Sequence, residues 1–247
     1  MIMIPAVRRQ KLLNLLEERE MLFLPDVIEA MDSSESTVRR DLKTLARSGE
    51  VELLRGGGIR LPKQSVEMTL HAKLQLSKEE KDHIARAAAE LIYPGDVIFI
   101  DPSSANYLLL DYIQSKPVTV VTNSIAHMTK LLNADMNCIM IGGQIKKTTS
   151  SCIGPQAEQM LRNLRFSKCF LGANGISREG GVTNHDPMEQ SIKRLAIENS
   201  AVTYFLVDSA KFGVNTMCKV ADVDAHMILT DKEVPGYEDL DNIIVVD

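Results

Sequence analysis

Residues 33–48, Ser-Ser-Glu-Ser-Thr-Val-Arg-Arg-Asp-Leu-Lys-Thr-Leu-Ala-Arg-Ser, decide how the amino-terminal part of this chain folds. Wound at about 100° per residue, they form a helix with two chemically distinct sides. Val38, Leu42 and Leu45 recur at i, i+4 and i+7 on one side. Ser36, Arg40, Lys43 and Arg47 fall in a narrow arc opposite, with Arg39 at its edge. One side is built to be buried; the other presents guanidinium, ammonium and hydroxyl groups with few acids between them. That is the chemistry of a helix that lies in a DNA major groove.

The flanking sequence supplies the rest of a small domain. An earlier helix over 6–19 contributes Leu12, Leu13 and Leu16 to the same core. A short helix over 24–31 carries Pro25 in its first turn and Val27, Ile28 and Met31 on one side. Asp32-Ser33 makes the turn, and Ser34 suits an N-cap whose hydroxyl accepts a helix N–H. Beyond Gly49, Val51-Glu52-Leu53-Leu54 and Ile59-Arg60-Leu61 flank Arg55-Gly56-Gly57-Gly58, two short strands around a glycine-rich turn. Three helices and a wing make a winged helix-turn-helix. A charged helix face is usually only solvated; the wing, the cap and the tight turn move the reading to DNA.

The segment Ser34-Glu35-Ser36-Thr37-Val38-Arg39-Arg40-Asp41-Leu42, followed by Leu53-Leu54-Arg55-Gly56-Gly57-Gly58, resembles the signature of the DeoR family of bacterial transcriptional regulators. Arg55 stands where that family usually has His, Leu53 where it has Arg, and Gly58 where it has Ala. The expected base readers are Ser36, Thr37, Arg39, Arg40 and Lys43. Arg47 extends the same face, while Arg55 and Arg60 are placed to meet phosphates from the wing.

Charge is distributed to match. The chain of 247 residues carries a net charge of −5, yet residues 1–63 hold 11 basic and 10 acidic side chains against 17 and 23 beyond. Within 36–63 the balance is 7 to 3 in favour of basic groups. Positive charge is thus concentrated where DNA would sit, over an acidic body. Cys138, Cys152, Cys169 and Cys218 show no C-x-x-C spacing and read as reduced packing residues. The five histidines have no metal-ligand spacing, so neither a metal nor a cofactor is expected. The absence of a signal sequence, and of an apolar run near about 18 residues, predicts a cytoplasmic protein with no membrane partner.

From residue 78 onward a helix over 78–91 is followed by a repeating pattern. Apolar runs at 97–100, 118–121, 139–141, 169–171, 204–207 and 226–229 each end in a small polar or glycine cluster. Continuous apolar strands alternating with helices predict a largely parallel, Rossmann-like α/β sheet covered on both faces. Ligands bind such sheets beyond the carboxyl ends of the strands, where these clusters fall. Ser103 and Ser104 precede a helix, so hydroxyls and free amides meet at a helix N-terminus, an arrangement suited to phosphate. Lys193 and Lys211 can add positive charge, while Asp101, Asn123, Asn174 and Asp208 can take sugar hydroxyls.

Residues from about 79 to 231 are similar to the DeoR-family sensor domain, which is related in fold to ribose 5-phosphate isomerase. The likeness runs through Lys81, Thr122-Asn123-Ser124, Gly142-Gly143, Asn174-Gly175-Ile176, the Glu189/Lys193 pair and Val207 to Gly213. It adds Gly143 and Gly175 to the expected effector site and implies regulation by a phosphorylated sugar, usually by releasing a repressor. The family favours Asp-x-Gly-Thr-Thr or Asp-x-Gly-Ser-Thr at the phosphate loop; here the loop reads Asp101-Pro102-Ser103-Ser104-Ala105. The domains expected are a winged helix at 1–62, a connection at 63–77 and a sensor domain at 78–247. Self-association is expected too, because paired half-sites call for a homodimer or higher oligomer. An isomerase-like enzyme using Asp101, Asp208 and Glu189 is the alternative to a non-catalytic regulator. A DNA binder that ignores ligands is a third reading.

Overall fold

The computed structural model describes residues 5–246 apart from 20, 32, 48–50, 55 and 61–68. It divides into two compact units, Met1–Ser77 and Lys78–Asp247.

The first unit follows the apolar pattern of its sequence. Helices α1 (Pro5–Glu18), α2 (Leu24–Met31) and α3 (Glu35–Arg47) converge on one core. Val38, Leu42 and Leu45 are all buried there with Leu12, Leu16, Val27 and Met31. Burying a side chain of this size stabilises by roughly 1.5–3 kcal/mol, so the apolar stripe fixes which side of α3 faces inward. Ser34 holds the N-cap position, its carbonyl accepting from the amides of Thr37 (3.0 Å) and Val38 (3.1 Å). Its hydroxyl departs from expectation by meeting the hydroxyls of Thr37 (2.9 Å) and Ser36 (3.2 Å). Asp41, on the inward edge of α3, takes an ion pair from Arg8 of α1 at 2.5 Å and ties the two helices together.

The wing is a three-stranded antiparallel sheet in the order β1 (Leu22–Phe23), β3 (Gly58–Arg60), β2 (Glu52–Leu53). Its turn carries Gly56 and Gly57 at φ +91° and +85°, a region costly for any residue with a Cβ. Two features differ from the sequence expectation. Strand β1 is a third member, and the stretch read as a connection contains α4 (Leu70–Gln75).

The second unit is built on seven parallel strands in the order β15-β14-β12-β9-β4-β5-β6. These are β4 (Val97–Ile100), β5 (Thr119–Thr122), β6 (Cys138–Met140), β9 (Phe166–Leu171), β12 (Ser200–Leu206), β14 (Met227–Thr230) and β15 (Ile243–Val245). Side chains alternate across the sheet. Ile98, Ile100, Phe170 and Leu206 pack under α5 (Lys78–Glu90) and α6 (Ser104–Tyr112), with Leu131 of α7 (Ile125–Asn133). Phe99, Cys169, Leu171 and Phe205 pack under α8 (Pro155–Arg162) and α9 (Pro187–Glu198). Outside this sheet lie a hairpin of β7 (Gln144–Lys146) and β8 (Ser151–Ile153), and a small antiparallel sheet. The latter orders β10 (Gly175–Ser177), β11 (Gly181–Asn184) and β13 (Cys218–Ala221). Neither this sheet, the hairpin nor the edge strand β15 is expected from the apolar runs.

Candidate functional site

On α3, Ser36, Arg39, Arg40 and Lys43 are exposed and Thr37 is half-buried. Arg39 is bound to Glu35 one turn earlier at 2.8 Å. Arg40 and Lys43 make no ion pair among the described residues, so their charges are available to another molecule. Arg60 is less available than its position in the wing suggests. Its guanidinium lies 2.6 Å from the Glu52 carboxylate, its cross-strand partner. Arg55 and the side chain of Arg47 lie outside the described residues.

In the second unit the polar clusters gather at the carboxyl ends of the parallel strands. Asp101 follows β4 and is the hub. Its Oδ1 accepts from the amide of Ser103 (3.0 Å) and from Asn106 Nδ2 (2.8 Å). Its Oδ2 accepts from the amide of Gly172 (2.9 Å) and from the Lys193 ammonium, which also donates to Gly172 O at 2.7 Å. Burial pushes the Asp101 pKa up, but the Lys193 charge and these hydrogen bonds more than offset it, holding the carboxyl below its usual range. Asp101 and Lys193 are therefore committed mainly to each other and to the loop after β9. The sugar-hydroxyl role expected of Asp101 is already filled by the chain.

Ser103 is likewise occupied. It is the N-cap of α6, its hydroxyl accepting from the amide of Asn106 at 3.4 Å. Its Cβ sits where a Cβ on Gly172 would lie 2.3 Å away, so the two residues fit only because Gly172 has none. Ser104 and Ala105 occupy the first turn, where helix geometry leaves amides without intrahelical partners. Asn123 follows β5 and donates to Cys152 O at 2.9 Å. Asp208 follows β12 and lies 3.9 Å from the Lys81 ammonium, both buried. Lys211 is half-buried in the short turn after Asp208, its amide donating to Asp208 O at 2.9 Å. Asn174 pairs through its amide with Thr183 O at 2.9 Å. Gly143 and Gly175 serve close approach: a Cβ would lie 2.7 Å from Ile153 O at the first and 2.4 Å from Val214 O at the second.

A buried network joins this edge that the motifs only hinted at. Glu189, one turn before Lys193 on α9, accepts from Thr149 Oγ1 at 2.7 Å and from Asn184 Nδ2 at 3.4 Å. Lys146 reaches Glu189 at 3.2 Å and Asp186, the N-cap of α9, at 3.1 Å. The i, i+4 spacing of Glu189 and Lys193 was the available signal; Thr149, 40 residues away in sequence, had none. Several buried polar atoms of the second unit make no hydrogen bond of good geometry: Oδ1 of Asn106, Asn123 and Asn184, Oγ1 of Thr216 and both ring nitrogens of His127. A cavity of about 260 Å³ beside Thr203, Asp224 and His226 lies at the opposite edge, by the amino ends of β12 and β14. It is remote from these atoms.

Residues 8–64 match the DeoR-like helix-turn-helix domain and residues 76–232 the DeoR C-terminal sensor domain. The chain belongs to the DeoR family. It is similar along nearly its whole length to the uncharacterized HTH-type transcriptional regulator FruR of Bacillus subtilis (strain 168), 31% identical over 99% of this chain and 98% of that protein. The lactose phosphotransferase system repressor of Lactococcus lactis subsp. lactis is 31% identical over 83% and 82%. The glycerol-3-phosphate regulon repressor of Escherichia coli (strain K12) is 30% identical over 92% and 91%. Ribose 5-phosphate isomerase from Methanocaldococcus jannaschii superposes with a TM-score of 0.41 at 15% identity, over 55% of this chain and 54% of that one, too slight a likeness to argue from. This DeoR-family protein is a DNA-binding transcriptional regulator. Among its described residues no helix is long and apolar enough to cross a membrane.

Proposed function

We propose that this regulator represses a carbohydrate-metabolism operon in the cytoplasm. On this reading it is released from its operator by a phosphorylated sugar, or a related metabolite, bound at the carboxyl ends of β4, β5, β9 and β12. The observation that carries the reading is the set of buried, unpaired carbonyl oxygens on Asn106, Asn123 and Asn184. Asn106 lies in the first turn of α6, whose Ser104 and Ala105 amides favour an anion, Asn123 follows β5, and Asn184 ends β11 beside Glu189. Native interiors seldom leave such groups unpaired without a ligand or a water to satisfy them. A sugar offers hydroxyl donors to the carbonyls, and its phosphate offers acceptors to the amides. The similar regulators of lactose and glycerol-3-phosphate systems are named as repressors.

On DNA, Arg40 and Lys43 are the readers with uncommitted charge, joined by Ser36, Thr37 and Arg39. Arg47 and Arg55 are assigned to phosphates, with Arg60 a weaker contributor because Glu52 holds it. Two copies on paired half-sites supply the rest of the affinity. An enzymatic role is disfavoured by the electrostatics of Asp101, since a general base works best with a pKa near the operating pH and Lys193 drives this one the other way.

A thermal-shift screen against sugar phosphates and their unphosphorylated parents tests the effector reading. Selective binding at a hundredfold excess over Kd stabilises the native state by about 2.7 kcal/mol. A rise in Tm confined to one or a few phosphates is expected. A flat panel, or equal response to the unphosphorylated parents, contradicts it.

A further inference from the structure

His127 sits in the first turn of α7, its own amide donating to the capping Ser124 hydroxyl at 3.2 Å. Its side chain is completely buried, and neither ring nitrogen makes a hydrogen bond of good geometry. A neutral imidazole carries one donor and one acceptor, so leaving both unmet is destabilising. A leucine would fill the same space without that penalty. The surroundings of the ring indicate what it faces. The Tyr107 ring stands 5.5 Å away, and a weak hydrogen bond to the backbone of Ser103, the N-cap of α6, favours the protonated ring. In the same turn Asn106 contributes its own unpaired Oδ1.

The charges around His127 come from three elements. Asp101, at the end of β4, favours protonation, while Lys130 of α7 disfavours it. Lys130 is itself held by Asp111 of α6 at 2.7 Å. The strands β6 and β8 bring no charged side chain, and their titratable groups are the thiols of Cys138 and Cys152. Burial outweighs these charges and lowers the His127 pKa to about 4, so the ring is neutral near pH 7. The hydroxyls at this helix end are those of Ser103, which accepts from the Asn106 amide, and of Ser104; Ala105 has none.

We propose that His127 is the proton-carrying counter-ion for an anion at the α6 N-terminus: when a phosphoryl or sulfate group sits on the Ser104 and Ala105 amides, the imidazole takes one proton from solvent, and the ligand binds more tightly as pH falls. This rests on the reading that the sensor domain takes a phosphorylated ligand. An opposite charge within about 4–6 Å favours the charged form of an ionisable group, and the dipole of α6 holds the anion where it would do so. No other bond changes; the proton from water is the sole addition.

Sulfate is the probe, because it remains a dianion across the working range and contributes no titration of its own. NMR titration of the full chain with sodium sulfate between pH 5 and 7 gives its Kd from the Ser104 and Ala105 amide shifts. The same spectra follow His127 protonation from its imidazole nitrogens, assigned by their absence in His127→Leu. For the wild type, sulfate Kd is expected to rise about tenfold over that range, one proton's linkage across a shifted pKa, with the imidazole protonating at higher pH when sulfate is bound. His127→Leu loses only the weak contact to the Ser103 backbone and is expected to fold with a flat Kd. His127→Gln keeps a donor without a titration and is expected to bind sulfate equally at every pH. Sulfate binding to the wild type without pH dependence overturns the role of His127 while leaving the anion site standing. No sulfate shift at Ser104 and Ala105 at any pH overturns it too, and the sugar-phosphate screen then decides whether the effector reading fails with it.

Discussion

The recognition helix and the sensor edge are both rich in charge, yet they use it in opposite ways. On α3, Arg40 and Lys43 are exposed and without an ion pair among the described residues. At the sensor edge most charges are mated and at least partly buried: Asp101 with Lys193, Asp208 with Lys81, Glu189 with Lys146. A surface that must read many phosphates and bases keeps its cations free and hydrated, and gains affinity by releasing counter-ions. At the proposed ligand site charges fix loops instead, because a buried charge without a partner is too costly to keep waiting. What this edge leaves open is mostly neutral, amides at a helix end, amide carbonyls and one imidazole, with half-buried Lys211 a cation for which no ion pair forms among the described residues.

The largest effect that can break this contrast is at the buried pair. Lys193→Met strands the Asp101 carboxylate in the interior and is expected to destabilise the protein by about 3–5 kcal/mol, measured by urea unfolding. A loss below about 1 kcal/mol, the range of an exposed pair, shows that Lys193 does not anchor the edge.

His127 gives the next effect. Its pKa of about 4 lies below the roughly 6.5 of a free histidine, so the unfolded chain binds the extra proton between those values. Its stabilisation is complete above about pH 6.5 and falls by up to about 3 kcal/mol as pH drops toward 4. Comparing unfolding free energies of wild type and His127→Leu across that window isolates the slope; parallel curves contradict burial of a neutral ring.

On α3 the expected loss is in recognition and not in stability. Arg40→Ala should cost about 1–3 kcal/mol of discrimination at one base step with stability changed by less than about 0.5 kcal/mol. Competition binding with operator and scrambled DNA reads the first, and a binding ratio equal to that of wild type removes Arg40 from the base readers. Smallest of all is the intrahelical pair. Arg39 and Glu35 side chains are 59% and 58% exposed, so Glu35→Ala should shift stability by only about 0.3–0.5 kcal/mol.

The two regions also differ in how far the sequence discloses them. The α3 faces and the six apolar runs are local patterns, and Val38, Leu42, Leu45, Ile98 and Phe170 are buried as the periodicity demands. Strands such as β1 and β10 escape notice because their pairing is set by partners elsewhere in the chain: Leu22 opposite Ile59, Gly175 opposite Thr183. Site residues follow the same division. Asp101, Ser103 and Lys193 announce themselves by residue type and position, but their commitments do not. Nothing near Asp101 in sequence signals that Lys193, 92 residues on, will occupy its carboxylate. Asp41 reads as part of a DNA-binding motif, yet its carboxylate holds Arg8, 33 residues before it. His127 lies in a helical apolar pattern and looks like any core residue until both nitrogens are found unpaired.

The central claim is that a phosphorylated ligand at the sensor edge controls DNA binding by the recognition helix. Fluorescence anisotropy with an operator fragment, repeated with each sugar phosphate and its unphosphorylated parent at fixed salt, tests it most directly. Coupling between two sites typically amounts to about 5–150-fold in affinity. The account predicts that at least one sugar phosphate weakens operator binding within that range while its unphosphorylated parent does not. Operator affinity that stays constant across the panel, or responds equally to the unphosphorylated parents, contradicts it.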